Sequence, residues 1–327
     1  MATDLRGSKD RANRPFVGIP SFLRSDVCTN LDELDADIAV LGVPTDEGSP
    51  FMAGSRLGPR ALREHSLRFV VGDGLYNIDT GKSYLINEMA NRRIVDVSDS
   101  DILPTNVEGT FDNITADVRK ILEKGAMPVV LGGDHAITYP VVRAFEGYGD
   151  LNVIHFDAHM DYAPFIHDLR FTNGTAFRLI RPLPFMKEMV QVGIRSMRTV
   201  EEHVDDSRND GNRVVTMSQF HEMGPAGLAA LLPQNSRCYV SIDVDVLDIS
   251  LVPGCVSGEP NGMSYQELCS TLEAIAEHLD VVGFDFVEVN PQCDVGTGMT
   301  AYLGVHTVID FMGFICDQPR WAERHHK

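Results

Sequence analysis

Val153-Ile154-His155-Phe156-Asp157-Ala158-His159-Met160-Asp161 decides how this chain is read. The stretch opens as an apolar strand and closes on metal-type ligands at alternate positions. Side chains two apart on a strand share a face, so Asp157, His159 and Asp161 are expected to converge at the strand's end. Three ionisable groups on one face are costly unless a positive charge lies among them. A divalent metal is the simplest such charge. His155 shares that face but lies deeper in the strand, and reads as a satisfied core histidine.

Two other strand ends carry the same kinds of groups. Pro128-Val129-Val130-Leu131 runs into Gly132-Gly133-Asp134-His135, and Cys238 to Val246 is a strong strand with Asp243 and Asp245 near its end. Alone, the first reads as an ordinary turn and the second as a loop cap or a nucleotide-sugar motif. Beside DxHxD they complete a set: His135, Asp157, His159, Asp161, Asp243 and Asp245. A structural zinc takes four ligands, usually sulfur and nitrogen. An oxygen-rich set with two imidazoles suits harder or borderline ions such as manganese. Bridging carboxylates in such a set can hold two ions about 3.5–4 Å apart.

The surrounding chain reads as α/β. Ile38 to Pro44, Ile94 to Val97, Met189 to Ile194, Val214 to Met217 and Val281 to Val289 are further strand candidates. Helices are expected from Pro59, over Phe111 to Lys124, over Gly227 to Leu232, after the Ser264-Tyr265-Gln266-Glu267 capping box, and from Gly298 to Cys316. Alternating strands and helices predict one domain, 36–327, around a mostly parallel sheet, preceded by an irregular arm, 1–35. Ligands in such sheets bind beyond the carboxyl ends of the strands, where every constellation above lies.

Composition narrows the partners. A formal charge of −19 argues against nucleic acid or an anionic membrane, since both need basic patches. It suits a cationic small molecule or a metal. The 6 cysteines form no CxxC pair and read as reduced thiols of a cytoplasmic protein. Met1 to Arg14 contains no signal-type apolar region. No uninterrupted apolar run reaches about 18 residues, so no membrane span is expected.

The three blocks, Gly132-Gly133-Asp134-His135, His155 to Asp161, and Ser241-Ile242-Asp243-Val244-Asp245-Val246-Leu247-Asp248, resemble the signatures of the ureohydrolase family, which includes arginase, agmatinase and guanidinobutyrase. Gly54-Ser55-Arg56-Leu57-Gly58-Pro59 is similar to that family's early loop, and the resemblance covers about residues 37–315. It implies a three-layer α/β/α fold and a pair of divalent ions, Mn(II) first and Ni(II) as an alternative. It also implies a trimer or hexamer, with a related second subunit as an option. The implied reaction hydrolyses a guanidino group to urea and an amine.

By the same resemblance all six ligands hold the two ions, Asp161 doubles as proton relay, and Glu288 grips the guanidinium. Agmatinase-like relatives carry a proton-shuttling histidine where this chain has Asn173. His167 is expected to replace it, or Asn173 to bind substrate instead. Met160 stands where small hydroxyl residues are common, implying a more apolar pocket. That widens the expected substrates from agmatine and guanidino acids to guanidine, N-alkylguanidines and biguanide-like compounds. Competing readings are a deacetylase-like amide hydrolase with one zinc, and a metal-bearing subunit of a mixed oligomer.

Overall fold

Ile38 and Val40 pack on one side of the sheet, Ala39, Leu41 and Val43 on the other, and all five are buried. That pattern repeats along the central strands. It requires cover on both faces, as parallel sheets do. The computed structural model describes residues 14–69 and 74–325.

In chain order the strands are β1 (Asp26–Val27), β2 (Ile38–Val43), β3 (Leu75–Asn77), β4 (Lys82–Tyr84), β5 (Ile94–Asp99), β6 (Met127–Gly132), β7 (Leu151–Phe156), β8 (Met186–Ile194), β9 (Arg213–Thr216), β10 (Arg237–Asp243) and β11 (Asp280–Val287). Nine of them form one sheet in the order β1-β5-β2-β6-β11-β10-β7-β8-β9, parallel at every pairing. β3 and β4 form a separate antiparallel hairpin. Strands β6, β10 and β7, which carry the ligand motifs at their carboxyl ends, lie within four neighbouring positions of the sheet, with β11 among them.

One layer contains the helices Gly58–Ser66, Met217–Ala229, Tyr265–His278 and Met299–Cys316. The other contains Val107–Glu123, Thr138–Arg143 and Ala176–Ile180. The helix Val107–Glu123 buries Phe111, Ile114, Val118 and Ile121, spaced three or four apart as one helical face requires. Its N-terminus is capped by Asn106, whose side chain accepts from Gly109 N at 3.0 Å. The expected capping box closes as read, with Ser264 and Glu267 exchanging bonds. The helix Met299–Cys316 is long and apolar enough to cross a bilayer, but 67% of that window is buried and it is a core helix here.

The sequence reading differs from the structure in three places. The helix expected at Gly227 begins ten residues earlier, at Met217, where Thr216 and Gln219 form a capping box; Gly224 and Pro225 interrupt it. The polar helices Glu201–Asn209 and Pro319–His325 carry no apolar stripe that announces them. The arm is not irregular throughout: β1 pairs with β5, and Phe22 and Leu23 are buried. Residues 1–13 of that arm lie outside the described residues.

A buried ion pair ties these parts together. Arg63 donates to Asp96 from Nε and Nη2 at 2.8 and 3.0 Å, and to Asp99 from Nη1 at 2.6 Å. Asp96 also accepts from Phe22 N at 2.8 Å, so the N-terminal segment, the first long helix and β5 share one carboxylate. Removing one partner leaves the other charge buried and unpaired, which costs about 3–5 kcal/mol. Arg63→Leu is therefore expected to lower unfolding stability by roughly that amount, read by urea denaturation of Trp321 fluorescence. An unchanged midpoint would contradict the role given to this pair.

Candidate active site

Each of three strand ends uses an aspartate to turn the chain. Asp134 Oδ1 accepts from Ala136 N at 3.1 Å after β6. Asp157 Oδ1 accepts from His159 N at 2.5 Å after β7, and Asp243 Oδ1 from Asp245 N at 2.8 Å at the end of β10. Aspartate bonding to its own backbone two residues on is a turn device. Here it swings the next ligand over the sheet's edge. The sequence reading assigned the convergence of Asp157, His159 and Asp161 to strand alternation. The strand ends at Phe156, and turns achieve the convergence instead. Gly133 is required by contact: a Cβ there would strike the Thr45 carbonyl.

A buried polar chain fixes His135. Tyr239 OH and Thr138 Oγ1 donate to Asp285 Oδ2, each at 2.9 Å, and Ser241 Oγ donates to Asp285 Oδ1 at 2.7 Å. With its hydrogen committed, Ser241 Oγ is an acceptor for His135 Nε2 at 2.8 Å. The Nε2 proton assignment leaves Nδ1 as a lone pair. That lone pair faces Asp157 Oδ2 and Asp161 Oδ2 at 3.1 Å each, and Asp243 Oδ2 at 3.2 Å. None of the three is a hydrogen bond in geometry, and His135 Nδ1 is buried without a partner.

His155 is held in the same manner. Gln191 Nε2 lies 3.2 Å from its Nδ1, and its Nε2 lies 2.8 Å from Asp157 Oδ2. Burial lowers its pKa to about 4, so the ring is neutral at pH 7. It stacks on Phe177 at 3.6 Å and orients Asp157 rather than joining the cavity. On the other side His159 Nδ1 stands 3.2 Å from Asp157 Oδ1 and 3.1 Å from Asp245 Oδ2. Asp245 Oδ2 is also buried without a hydrogen bond.

The electrostatics show what this corner lacks. Burial, with the charges of Asp245 and Asp157, pushes Asp243 well above the usual carboxylate range. Burial and Asp157 push Asp161 up to about 6. Burial alone would push Asp157 up as well, but His155, His135 and His159 hold it well below the usual range. Burial opposes charge on His135, yet Asp157, Asp161 and Asp243 overcome it and raise its pKa well above normal. The arrangement favours a positive charge in this corner.

A cavity of about 170 Å³ opens over these groups, with Asp161, His159, Asp243 and Asp245 in its wall. Glu288 and Asn173 also line it. Glu288 Oε1 accepts from His135 N at 3.0 Å and Asn173 Nδ2 at 3.2 Å, so neither bond uses Oε2. Burial raises Glu288 to about 7 against those bonds. Asp161 and Glu288 both have left-handed backbones, at φ 44° and 65°. Such strain costs on the order of 1–3 kcal/mol per residue, and it falls on two residues of the cavity wall.

Two residues expected at the substrate are elsewhere. Met160 is 4% exposed and packs in the hydrophobic cluster with Tyr162 and Phe177. The turn after β7 directs it away from the ligands on either side. His167 is exposed, in a short turn outside the cavity lining. Its six-residue separation from Asn173 is spent on loop, not on reaching the site.

Other groups at the site carried no sequence signal. Arg198, Ser257, Val256 and Met52 line the cavity from loops far apart in the chain. The Cys255 thiol lies within 4.8 Å of carboxylate oxygens of Asp243 and Asp245. Asp285 did leave a trace, as a carboxylate inside the apolar run of β11. All 6 cysteines are free thiols.

The Arginase family profile matches residues 36–313. Proclavaminate amidinohydrolase of Streptomyces clavuligerus is 34% identical over 298 residues, covering 88% of this chain and 90% of that protein. Its solved structure superposes with a TM-score of 0.77, at 31% identity, over 92% of this chain and 98% of that one. Guanidinopropionase of Pseudomonas aeruginosa is 32% identical over 336 residues, covering 97% and 98% of the two chains. Formiminoglutamase of Trypanosoma cruzi, solved with Mn2+, superposes with a TM-score of 0.77 at 25% identity, over 87% and 95%. The chain thus belongs to the arginase family of ureohydrolases, and is a hydrolase acting on C–N bonds of guanidino compounds.

Proposed function

We propose that this chain hydrolyses a guanidino compound to urea and an amine, using two divalent ions, Mn(II) or Ni(II), held among His135, Asp157, His159, Asp161, Asp243 and Asp245. One observation carries the proposal. The lone pair of His135 Nδ1 and three carboxylate oxygens face one another at 3.1–3.2 Å in a buried corner. Such a donor set suits a cation. The orphaned Asp245 Oδ2 marks a second such place. Oxygen donors with imidazole fit a hard or borderline ion.

When bound, the ions supply Lewis acidity and a water activated at neutral pH. The chain's own residues supply the rest. Glu288 Oε2 pairs with the guanidinium, while Asn173 and the His135 amide hold Oε1 and so fix the carboxylate's plane. Guanidinium is resonance-stabilised, so fixing it against the nucleophile is a large part of the task. Water adds its oxygen to the guanidino carbon, and the bond from that carbon to the amine nitrogen breaks. The leaving nitrogen needs a proton. Asp161, in the cavity wall, takes one from the attacking water and returns it. A trimer or hexamer in the cytoplasm belongs to the same proposal, tested by light scattering and by fractionation.

Urea release from a panel of guanidines, repeated with Mn(II) and Ni(II), tests the reaction. Asp157→Ala and Asp243→Ala are expected to lose bound metal, read by elemental analysis, and urea release with it. Full turnover by either would sink the assignment.

Ser241→Ala removes the acceptor that fixes the His135 proton. Loss of such an orienting partner weakens metal binding about 10- to 100-fold, and chelator competition measures it.

Glu288→Gln is expected to cut kcat/KM by about 100-fold or more, since a charge-assisted pair is replaced by a neutral one, with metal content intact. His167→Ala, by contrast, is expected to leave kcat within about twofold. A large drop would return His167 to the proton path.

A further inference from the structure

Arg198 is the one arginine among the described residues lining the cavity, and no lysine lines it. Its guanidinium is held in place. Nε donates to Glu259 Oε1 at 3.1 Å and Nη2 to the Ser257 carbonyl at 3.1 Å. Ser196 Oγ donates to the same Glu259 oxygen at 2.7 Å, so the anchor is itself fixed. Nη2 also lies 2.6 Å from His159 Nε2. Nη1 bonds to no other atom among the described residues. The side chain as a whole is 61% exposed and lines the cavity.

We propose that Arg198 receives a substrate carboxylate, which makes this chain's substrates ω-guanidino acids with the guanidinium at Glu288 and the acid at Arg198. The inference rests on the amidinohydrolase reading above and narrows its substrate class.

Three physical points favour it. First, a planar guanidinium with Nη1 free offers a donor edge suited to a carboxylate. A neutral alkyl tail would cover that edge and leave it unsatisfied. An ammonium tail would find no acceptor on that edge. Second, Met52 and Val256 line the same cavity as apolar side chains, which suits a methylene spacer between two charged ends. Third, His159 Nε2 has an alternative partner in Glu259 Oε1 at 3.6 Å. Were His159 to hold a cation through Nδ1, its proton would sit on Nε2 facing Glu259, and Arg198 Nη2 would keep only the Ser257 bond and have a hydrogen to offer elsewhere.

The pair with Glu259 makes Arg198 neutral in sum, so the effect is expected to be that of a charge-assisted hydrogen bond, about 10- to 100-fold. The test compares 3-guanidinopropionate and 4-guanidinobutyrate with agmatine and N-propylguanidine. Metal-loaded wild type, Arg198→Ala, Arg198→Lys and Arg198→Glu are assayed by urea release, with metal content measured for each.

Wild type is expected to prefer an acid over N-propylguanidine. Arg198→Ala should lose at least tenfold more kcat/KM on acids than on N-propylguanidine, mainly through KM. Arg198→Lys should recover part of that loss, and Arg198→Glu should turn the preference toward agmatine. Equal losses on acids and on N-propylguanidine, with metal intact, would give Arg198 a structural role and overturn the inference. A wild type that hydrolyses agmatine or alkylguanidines but not acids overturns it as well, while leaving the amidinohydrolase reading standing. Absence of urea from every guanidine would bring down that reading, and this inference with it.

Discussion

Mutual repulsion among buried carboxylates is the constraint on which the rest depends. Asp157, Asp161, Asp243 and Asp245 share one corner at the ends of β7 and β10. Left alone, such a group would swell or take up protons. The protein answers by fixing the imidazoles. Asp285, through Ser241, dictates which nitrogen of His135 bears the proton, and the Gln191 amide nitrogen stands at Nδ1 of His155. The chemistry at the surface of the cavity is therefore set one layer below it, by residues the substrate never meets.

Much of this was legible in the chain. Buried parallel strands are continuous apolar runs, so β2, β6, β7, β10 and β11 announce themselves, and each motif begins where a run stops. The six candidate ligand positions follow from that and from residue type. What failed is instructive. Alternation along the strand does not extend past Phe156, and Met160, assigned to the pocket by resemblance to relatives, is buried by the turn instead. The chain had already left the strand there. His167 was chosen for its chemistry and its nearness in sequence, neither of which fixes where a loop residue points. Arg198 and Glu259 had no signal at all: two loop residues 61 apart, joined only by folding. The helix Glu201–Asn209 was missed because it buries only Ser207, leaving no periodicity to detect.

Strain is concentrated with purpose. Among the cavity residues, Asp161 and Glu288 adopt a backbone that side chains with a Cβ normally avoid. Glu288 N donates to the Gly133 carbonyl at 2.8 Å, and Asp161's carbonyl accepts from Phe177 N at 3.2 Å. Bonds from neighbouring elements hold each in place. The sheet stores that unfavourable geometry and presents both carboxylates on a rigid frame.

The two ends of the sheet have a consequence for assembly. One edge is β1, two residues long, and the other is β9, four residues long. A neighbouring chain finds almost no free backbone on either side with which to extend the ladder. Edge-to-edge pairing through the nine-stranded sheet is therefore discouraged at both margins.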